Sequence, residues 1–158
     1  MTEHRTLSEI LADLQRSQQA LLDMSERIDD ATLYQRSTEQ EWTMAENLVH
    51  IAEARQFFAS EVQKALLTSG ARVGRTITDH ARVQNVLEHG YDSCDVITQK
   101  LVASYELVLQ TLKPMHDDDL QKMVEHSKYG PQTLGAFIEH FIVEHDQAHV
   151  QQVRKLLS

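Results

Sequence analysis

The sequence has little of what disulfide-bonded, membrane-spanning or sheet-rich proteins require. Cys94 is the only cysteine among 158 residues, which excludes an intrachain disulfide and fits a reducing compartment. No apolar run approaches the length that a helix needs to cross a bilayer. Five glycines, two prolines and almost no period-two alternation of apolar residues make sheet structure unexpected.

Basic side chains are also scarce, since 15 lysines and arginines stand against 24 acidic residues, a formal charge of −9. This charge disfavours binding to duplex nucleic acid or to an anionic membrane surface. Residues 1–6 are polar, so we expect no secretory signal. We therefore expect residues 1–158 to form a single cytoplasmic domain.

Helical periodicity, by contrast, is abundant, because four long segments carry apolar residues along one face. The first two open with Thr6 and Thr43, each three residues before a glutamate, a pattern typical of a capping box. The third helix is expected to begin at an Asp92 cap and to end before Pro114. The fourth is expected to begin at a Thr133 cap and to run to the C-terminus. Four amphipathic helices predict an all-α fold, a four-helix bundle.

The connections indicate how these helices are arranged. A polar loop is expected over residues 29–42, leading into Trp42. The connection over residues 69–92 has 24 residues, with room for one short helix near residues 79–88. Antiparallel neighbours in a bundle are joined by about 2–8 residues, whereas this connection can travel the length of a helix. We therefore expect the second and third helices to be parallel, in an up-down-down-up bundle with a long crossover between them.

Histidine is unusually frequent, with nine in the chain. His145 and His149 are spaced i, i+4, so both imidazoles project from one face of the fourth helix. At 100° per residue both lie on or beside the core-facing stripe, where Leu or Ile would be expected. Buried imidazoles need a partner for each nitrogen, which a metal ion would provide. The alternative is a set of core histidines satisfied by protein or solvent. The remaining histidines are expected at the surface: His4, His80, His89, His116, His126 and His140.

A third metal ligand must lie upstream of this pair. The pair resembles the H-E-x-x-H pattern of zinc proteases, but those proteins take their third ligand from downstream. None of the nine residues after His149 is His, Asp, Glu or Cys. His50 lies about 10 Å into the second helix, and the pair lies about 12–18 Å from the end of the fourth. These depths match if the second and fourth helices are antiparallel, as the up-down-down-up order requires.

Residues 42–50, Trp-Thr-Met-Ala-Glu-Asn-Leu-Val-His, and the later His145-x-x-x-His149-x-x-Gln152 resemble the DinB-like (damage-inducible) superfamily. The resemblance follows the helix order along the whole chain, but residues 69–92 contribute no match. It implies a bundle with a three-histidine metal site at His50, His145 and His149. Known relatives include metal-dependent S-transferases that use low-molecular-weight thiols, and thiol-dependent isomerases. The resemblance therefore implies a small-molecule substrate, with a low-molecular-weight thiol among the candidate partners.

Three neutral imidazoles would leave an open coordination position, the form of a catalytic rather than a structural site. Zn²⁺ or Ni²⁺ is the expected ion, with Fe²⁺ and Mn²⁺ as alternatives. Asp146 and Gln152 are candidates to orient an imidazole or bound water, and Asp146 is also a weak candidate for a catalytic base. The alternative for both is an exposed helix side chain. Trp42 either lines a pocket or anchors the core, and Cys94 is expected to be a small core residue.

Three functional hypotheses follow. The leading one is a metal-dependent transferase or hydrolase acting on a small molecule, with a thiol cosubstrate as one option. The second is a non-catalytic metal- or ligand-binding module, including a bundle whose site is empty or degenerate. The third is a bundle that forms a homodimer through exposed apolar edges of the first or third helix.

Overall fold

The computed structural model describes residues 5–158, which are mostly helical. The α-helices are α1 Leu7–Ser25, α2 Asp30–Leu33, α3 Met44–Leu67, α4 His80–His89, α5 Cys94–Leu112, α6 Leu134–Ile138 and α7 Glu144–Leu157. A 3-10 turn covers Asp117–Gln121, and the π-helical segment Glu139–Val143 joins α6 to α7. The strands are β1 Arg72–Val73, β2 Met123–His126 and β3 Gly130–Thr133.

Helices α1, α3, α5 and the continuous α6–α7 unit form a four-helix bundle, as predicted. Arg55 of α3 donates to the Leu101 carbonyl of α5, and further along both helices Gln63 donates to Thr111. The partners advance together, so α3 and α5 are parallel. Along α3 and α7 the partners run in opposite directions, because Asn47 contacts His149 while Arg55 contacts Asp146. The order is therefore up-down-down-up, with the crossover between α3 and α5 that the sequence predicted.

Local capping signals define most helix ends. Both predicted capping boxes are present, since Thr6 and Thr43 each accept from the backbone three residues later and each glutamate reaches back. Thr133 caps α6 as predicted. The predicted cap of α5 is wrong by one residue, because the hydroxyl of Ser93, and not the carboxylate of Asp92, accepts a hydrogen bond from the Val96 N–H. The Asp92 carboxylate is engaged by Lys100 at 2.7 Å, which leaves the neighbouring hydroxyl to cap the helix.

Two elements differ from the sequence expectation. The polar loop over residues 29–42 contains the short helix α2, which buries Leu33. A small sheet is also present, with β1 parallel to β2 and β2 antiparallel to β3. These strands have two to four residues, too few for an alternating pattern to stand out.

The core consists of two clusters of buried apolar side chains. One contains Leu7, Phe58, Leu112 and Phe137, and the other contains Leu21, Leu48, Ile97, Leu101 and Val153. In residues 5–158 no helix combines the length and apolar character that crossing a bilayer would require.

Candidate metal centre

The antiparallel packing of α3 and α7 brings His50, His145 and His149 together, and these residues are called the three-histidine cluster below. The Nε2 atoms of His50 and His145 are 3.0 Å apart, and one ring nitrogen from each histidine lies within 4.8 Å of the others. Nitrogens bound to one ion at about 2.0–2.1 Å would be about 3.0–3.4 Å apart, depending on the coordination geometry. The His50–His145 separation falls in this range, and a His149 nitrogen within 4.8 Å of both makes the group close enough to share a single ion.

Asn47, one turn before His50, orients the third imidazole. Its Nδ2 donates to the Thr43 carbonyl, so its Oδ1 is free to accept a hydrogen bond from the Nδ1–H of His149 at 2.9 Å. This hydrogen bond leaves the Nε2 lone pair of His149 available for a ligand. Asn47 is not among the site residues predicted from the sequence, although its place one turn before His50 on the same helix face is a signal that could have identified it.

The imidazoles of the cluster are neutral near pH 7. Burial, followed by the charges of the other two histidines, lowers the pKa of His50 to about 2. Burial lowers the pKa of His145 to about 4, with Arg82 and Arg75 contributing next. Burial and the charge of His145 lower the pKa of His149 to about 4. Neutral rings offer their lone pairs to a cation without first losing a proton.

A buried ion pair lies behind the cluster. The side chains of Arg55 and Asp146 are 2% and 0% exposed, and Nε and Nη2 of Arg55 donate to the Asp146 carboxylate. Nη1 of Arg55 donates to Gln18 of α1 and to the Leu101 carbonyl of α5. The pair therefore ties α7 to the three other bundle helices.

The role suggested for Asp146 as a surface residue is consequently wrong, and its carboxylate is engaged rather than free to act as a base. Arg55 occupies a position on the stripe of α3 where an apolar residue would be expected, because Ile51 and Phe58 flank it at helical spacing and are buried. This charged residue inside an apolar stripe was the sequence signal for a buried partner.

The face that α7 turns to the core also differs from the expectation. His145 and His149 lie half-buried at the edge of the core, while Asp146, Val150 and Val153 face it. In the π-helical segment the Glu144 N–H bonds to the Glu139 carbonyl, five residues back. Such a segment adds one residue to a turn and rotates all later residues by about 100° about the helix axis. A projection at 100° per residue that runs unbroken from α6 therefore assigns the wrong face of α7 to the core.

A cleft of about 740 Å³ adjoins the cluster, and its lining includes His149, Trp42, Asn47, Arg82 and Gln152. The Trp42 ring lies 4.8 Å from the His50 ring and 6.3 Å from the His149 ring, between centroids. Of the two alternatives for Trp42, the structure therefore shows a pocket wall. The exposed Gln152 lies beside His149, where its side chain partly opposes the lowering of the His149 pKa.

Cys94 lies apart from the cluster. It is half-buried against the apolar core, and its Sγ is 3.8 Å from the Ser25 carbonyl oxygen. Cys94 therefore lies at the edge of the core, which meets the expectation of a small core residue only in part.

Most of the other histidines are outside the core, as expected. His80, His116 and His140 are exposed, and the half-buried His89 contacts Asp92, while His4 lies outside the described residues.

His126 is an exception, because it is buried rather than exposed. Its Nδ1 accepts from the backbone N–H groups of Lys128 and Tyr129, and its ring stacks on Phe141 with 4.7 Å between centroids. Gly74 passes so close that a Cβ there would lie 2.4 Å from Nε2 of His126. His126 thus closes the β2–β3 hairpin against the bundle.

Solved structures with the same fold are found across nearly the whole chain. YfiT from Bacillus subtilis, described as a probable metal-dependent hydrolase with an unusual four-helix bundle topology, matches with a TM-score of 0.82 and 13% identity, covering 99% of this chain and 88% of that protein. The mycothiol-dependent maleylpyruvate isomerase matches with a TM-score of 0.78 and 14% identity over 97% of this chain. The chain spans 63% of the isomerase. An uncharacterised protein from Escherichia coli UTI89 matches with a TM-score of 0.72 and 12% identity, covering 96% of this chain and 92% of that one.

No curated protein matches the chain. The sequence profile of the DinB superfamily matches residues 13–153. The chain therefore belongs to the DinB superfamily.

Proposed function

We propose that the three-histidine cluster holds one divalent metal ion and that the protein is a metal-dependent enzyme acting on a small molecule. The observation that carries the proposal is the convergence of three neutral imidazoles beside a cleft of about 740 Å³. Three protein ligands leave a coordination position for a substrate, which distinguishes this arrangement from a closed structural site. Zn²⁺ and Ni²⁺ are the first candidates for the ion, followed by Fe²⁺ and Mn²⁺, because imidazole suits several of them.

A divalent ion held by three neutral ligands would stabilise the ionised form of a thiol or of water near neutral pH. The surrounding residues would position the reactants. Asn47 holds the His149 ring, Trp42 forms a flat wall beside the cluster, and the Arg55–Asp146 pair fixes the rotation of α7. Rigid placement of the two reactants is a large part of catalysis in group transfer.

Two carboxylates near the cluster are already engaged by arginines, which favours a thiol as the nucleophile. The carboxylates of Asp146 and Glu53 are bound by Arg55 and Arg75, respectively, with N···O separations of 2.9 and 2.5 Å. Neither carboxylate is therefore poised to remove a proton. A free thiol has a pKa of about 8.5 against about 15.7 for water, so a thiol needs less help to ionise. In the proposed transfer a carbon–sulfur bond forms as the bond to a leaving group breaks, and the thiol proton passes to solvent in the cleft.

The likeness to the mycothiol-dependent isomerase supports a thiol reaction. Metal-dependent hydrolysis is the second candidate, and the likeness to YfiT, described as a probable metal-dependent hydrolase, supports it.

The test combines metal analysis with an activity screen. Protein loaded with Zn²⁺ or Ni²⁺ is mixed with a panel of low-molecular-weight thiols and an activated aryl chloride, and chloride release is compared with thiol consumption. We expect equal amounts of both, abolished by a chelator and by His149→Ala. The control is His140→Ala, which removes an exposed histidine from the same helical unit. Turnover that survives complete chelation would refute a metal-dependent enzyme.

A further inference from the structure

Arg82, on α4, presents a guanidinium without a carboxylate partner at the wall of the cleft. Its Nη1 donates to the Ile77 carbonyl, and within residues 5–158 no carboxylate oxygen lies within 4.0 Å of its nitrogens. The neighbouring Arg75 differs, because both of its terminal nitrogens are engaged by Glu53 at 2.5–2.6 Å. Partial burial lowers the pKa of Arg82, with Glu53 and Asp79 opposing that effect from a distance.

Trp42 lies beside both this guanidinium and the three-histidine cluster. The Arg82 Cζ lies 5.2 Å from the Trp42 ring centroid, which lies 4.8 Å from the His50 ring centroid. These two separations limit the distance from the guanidinium carbon to the His50 ring to at most 10.0 Å. The Arg82 charge also contributes to the lowered pKa of His50, His145 and His149.

The cleft is more positive than the chain around it. Two cations, Arg82 and Lys155, line it with one acidic side chain, Glu41, whereas the whole chain carries −9. Much of the remaining lining is neutral and polar, including Gln35, Gln40 and Gln152. A partly buried charge with no carboxylate in contact is less favourable than one whose counter-ion a ligand supplies. The guanidinium offers a planar set of donors that matches the two oxygens of a carboxylate or phosphate.

We propose that Arg82 is the anion-binding residue of this cleft and that one reactant carries an oxyanionic group, a carboxylate or phosphate. This inference rests on the proposed function for its placement of the reacting atom at the three-histidine cluster. The Arg82 guanidinium carbon lies at most 10.0 Å from the His50 ring centroid, a separation that a small organic acid or phosphate ester can span. Lys155 adds a second positive charge to the lining of the cleft, and the Trp42 ring lies against the Arg82 guanidinium.

The test uses Trp42, the only tryptophan of the chain, as a fluorescent reporter of the cleft. Metal-free protein is titrated with glutarate, with inorganic phosphate and with glutaramide, the neutral amide of the same length as glutarate. We expect glutarate to bind at least tenfold more tightly than glutaramide. Arg82→Gln should lower the affinity for glutarate and for phosphate about tenfold and leave the affinity for glutaramide unchanged. Comparing the wild-type affinities for glutarate and phosphate shows which oxyanion is preferred. Arg72→Gln, a matched control that removes an exposed arginine from β1, should behave like the wild type.

Equal binding of glutarate and glutaramide by the wild type would overturn the proposal, as would anion affinities that Arg82→Gln leaves unchanged. Should Arg82→Gln fail to fold, Arg82→Lys retains the charge without the planar donors and should show an intermediate loss of anion affinity. An anion affinity of Arg82→Lys equal to that of the wild type would then count against recognition by the guanidinium. Because these titrations use metal-free protein, failure of the proposed enzyme function would leave their outcome unaffected.

Discussion

Replacing Asp146 with asparagine removes one charge from an ion pair that water does not reach. The Arg55 and Asp146 side chains are 2% and 0% exposed, and the guanidinium gives two of its nitrogens to the carboxylate. Asparagine keeps the size of the side chain but leaves the Arg55 charge buried without a counter-ion. Removing one partner of such a pair destabilises a protein by about 3–5 kcal/mol. Because domains of ordinary size are stable by about 5–15 kcal/mol, this is a large share of the total.

Urea denaturation of the metal-free protein at pH 7.5 measures this effect. We expect Asp146→Asn to lower the free energy of unfolding by about 3–5 kcal/mol. The control Asp23→Asn changes an exposed carboxylate in the last turn of α1 and should alter stability by less than about 0.5 kcal/mol.

The double replacement Arg55→Met/Asp146→Leu separates a buried charge from lost packing. It removes both charges and should have a free energy of unfolding only about 1–2 kcal/mol below that of the wild type. The remaining loss reflects the unpaired oxygen of Gln18. A loss below about 1 kcal/mol in Asp146→Asn, or a double variant less stable than either single one, would refute the assignment of a buried pair that locks α7.

Four further predictions concern the site and the hairpin beside it. Because the ligand pKa values lie at about 2 to 4, Zn²⁺ affinity should change less than about threefold between pH 7.5 and 5.5, whereas three ordinary histidines would lose about 1,000-fold. The same lowered values mean that the unfolded chain binds more protons, so the metal-free protein should lose stability as the pH falls from about 6.5 towards 4, and urea titrations showing constant stability would contradict this. Asn47→Ala should weaken Zn²⁺ binding about 10–100-fold in competition with a chelator, while Asn47→Asp, which keeps the acceptor for His149, should stay much closer to the wild type. Gly74→Ala should destabilise the fold by about 2–4 kcal/mol through the clash with His126, and Gly70→Ala, which also has a positive φ but open space, should cost only about 1 kcal/mol in thermal unfolding.

Much of the fold could be predicted from the sequence because its signals are local. The helix starts at Thr6 and Thr43 depend on contacts within one turn, and amphipathic spacing identifies the bundle helices. The crossover followed from the length of one connection. The sheet could not be found in this way, because β1 pairs Arg72 with Glu125, far away in the chain, over only two residues.

The candidate site was also predictable from the sequence only in part. The i, i+4 spacing of His145 and His149 predicts that they lie together. His50 was identified because its distance from the end of its helix matches theirs. The contribution of Arg82 could not be predicted, because it depends on how α4 packs on α3, where Asn85 donates to the Val49 carbonyl. Nor does the sequence reveal the π-helical segment that rotates α7.

The most direct measurement for the central claim is X-ray absorption spectroscopy of the metal-loaded protein, together with its metal content. We expect one divalent ion per chain, bound by three imidazole nitrogens at about 2.0–2.1 Å, and loss of stoichiometric binding in His149→Ala. A metal content far below one ion per chain, or a bound ion whose spectrum lacks imidazole scattering, would contradict it.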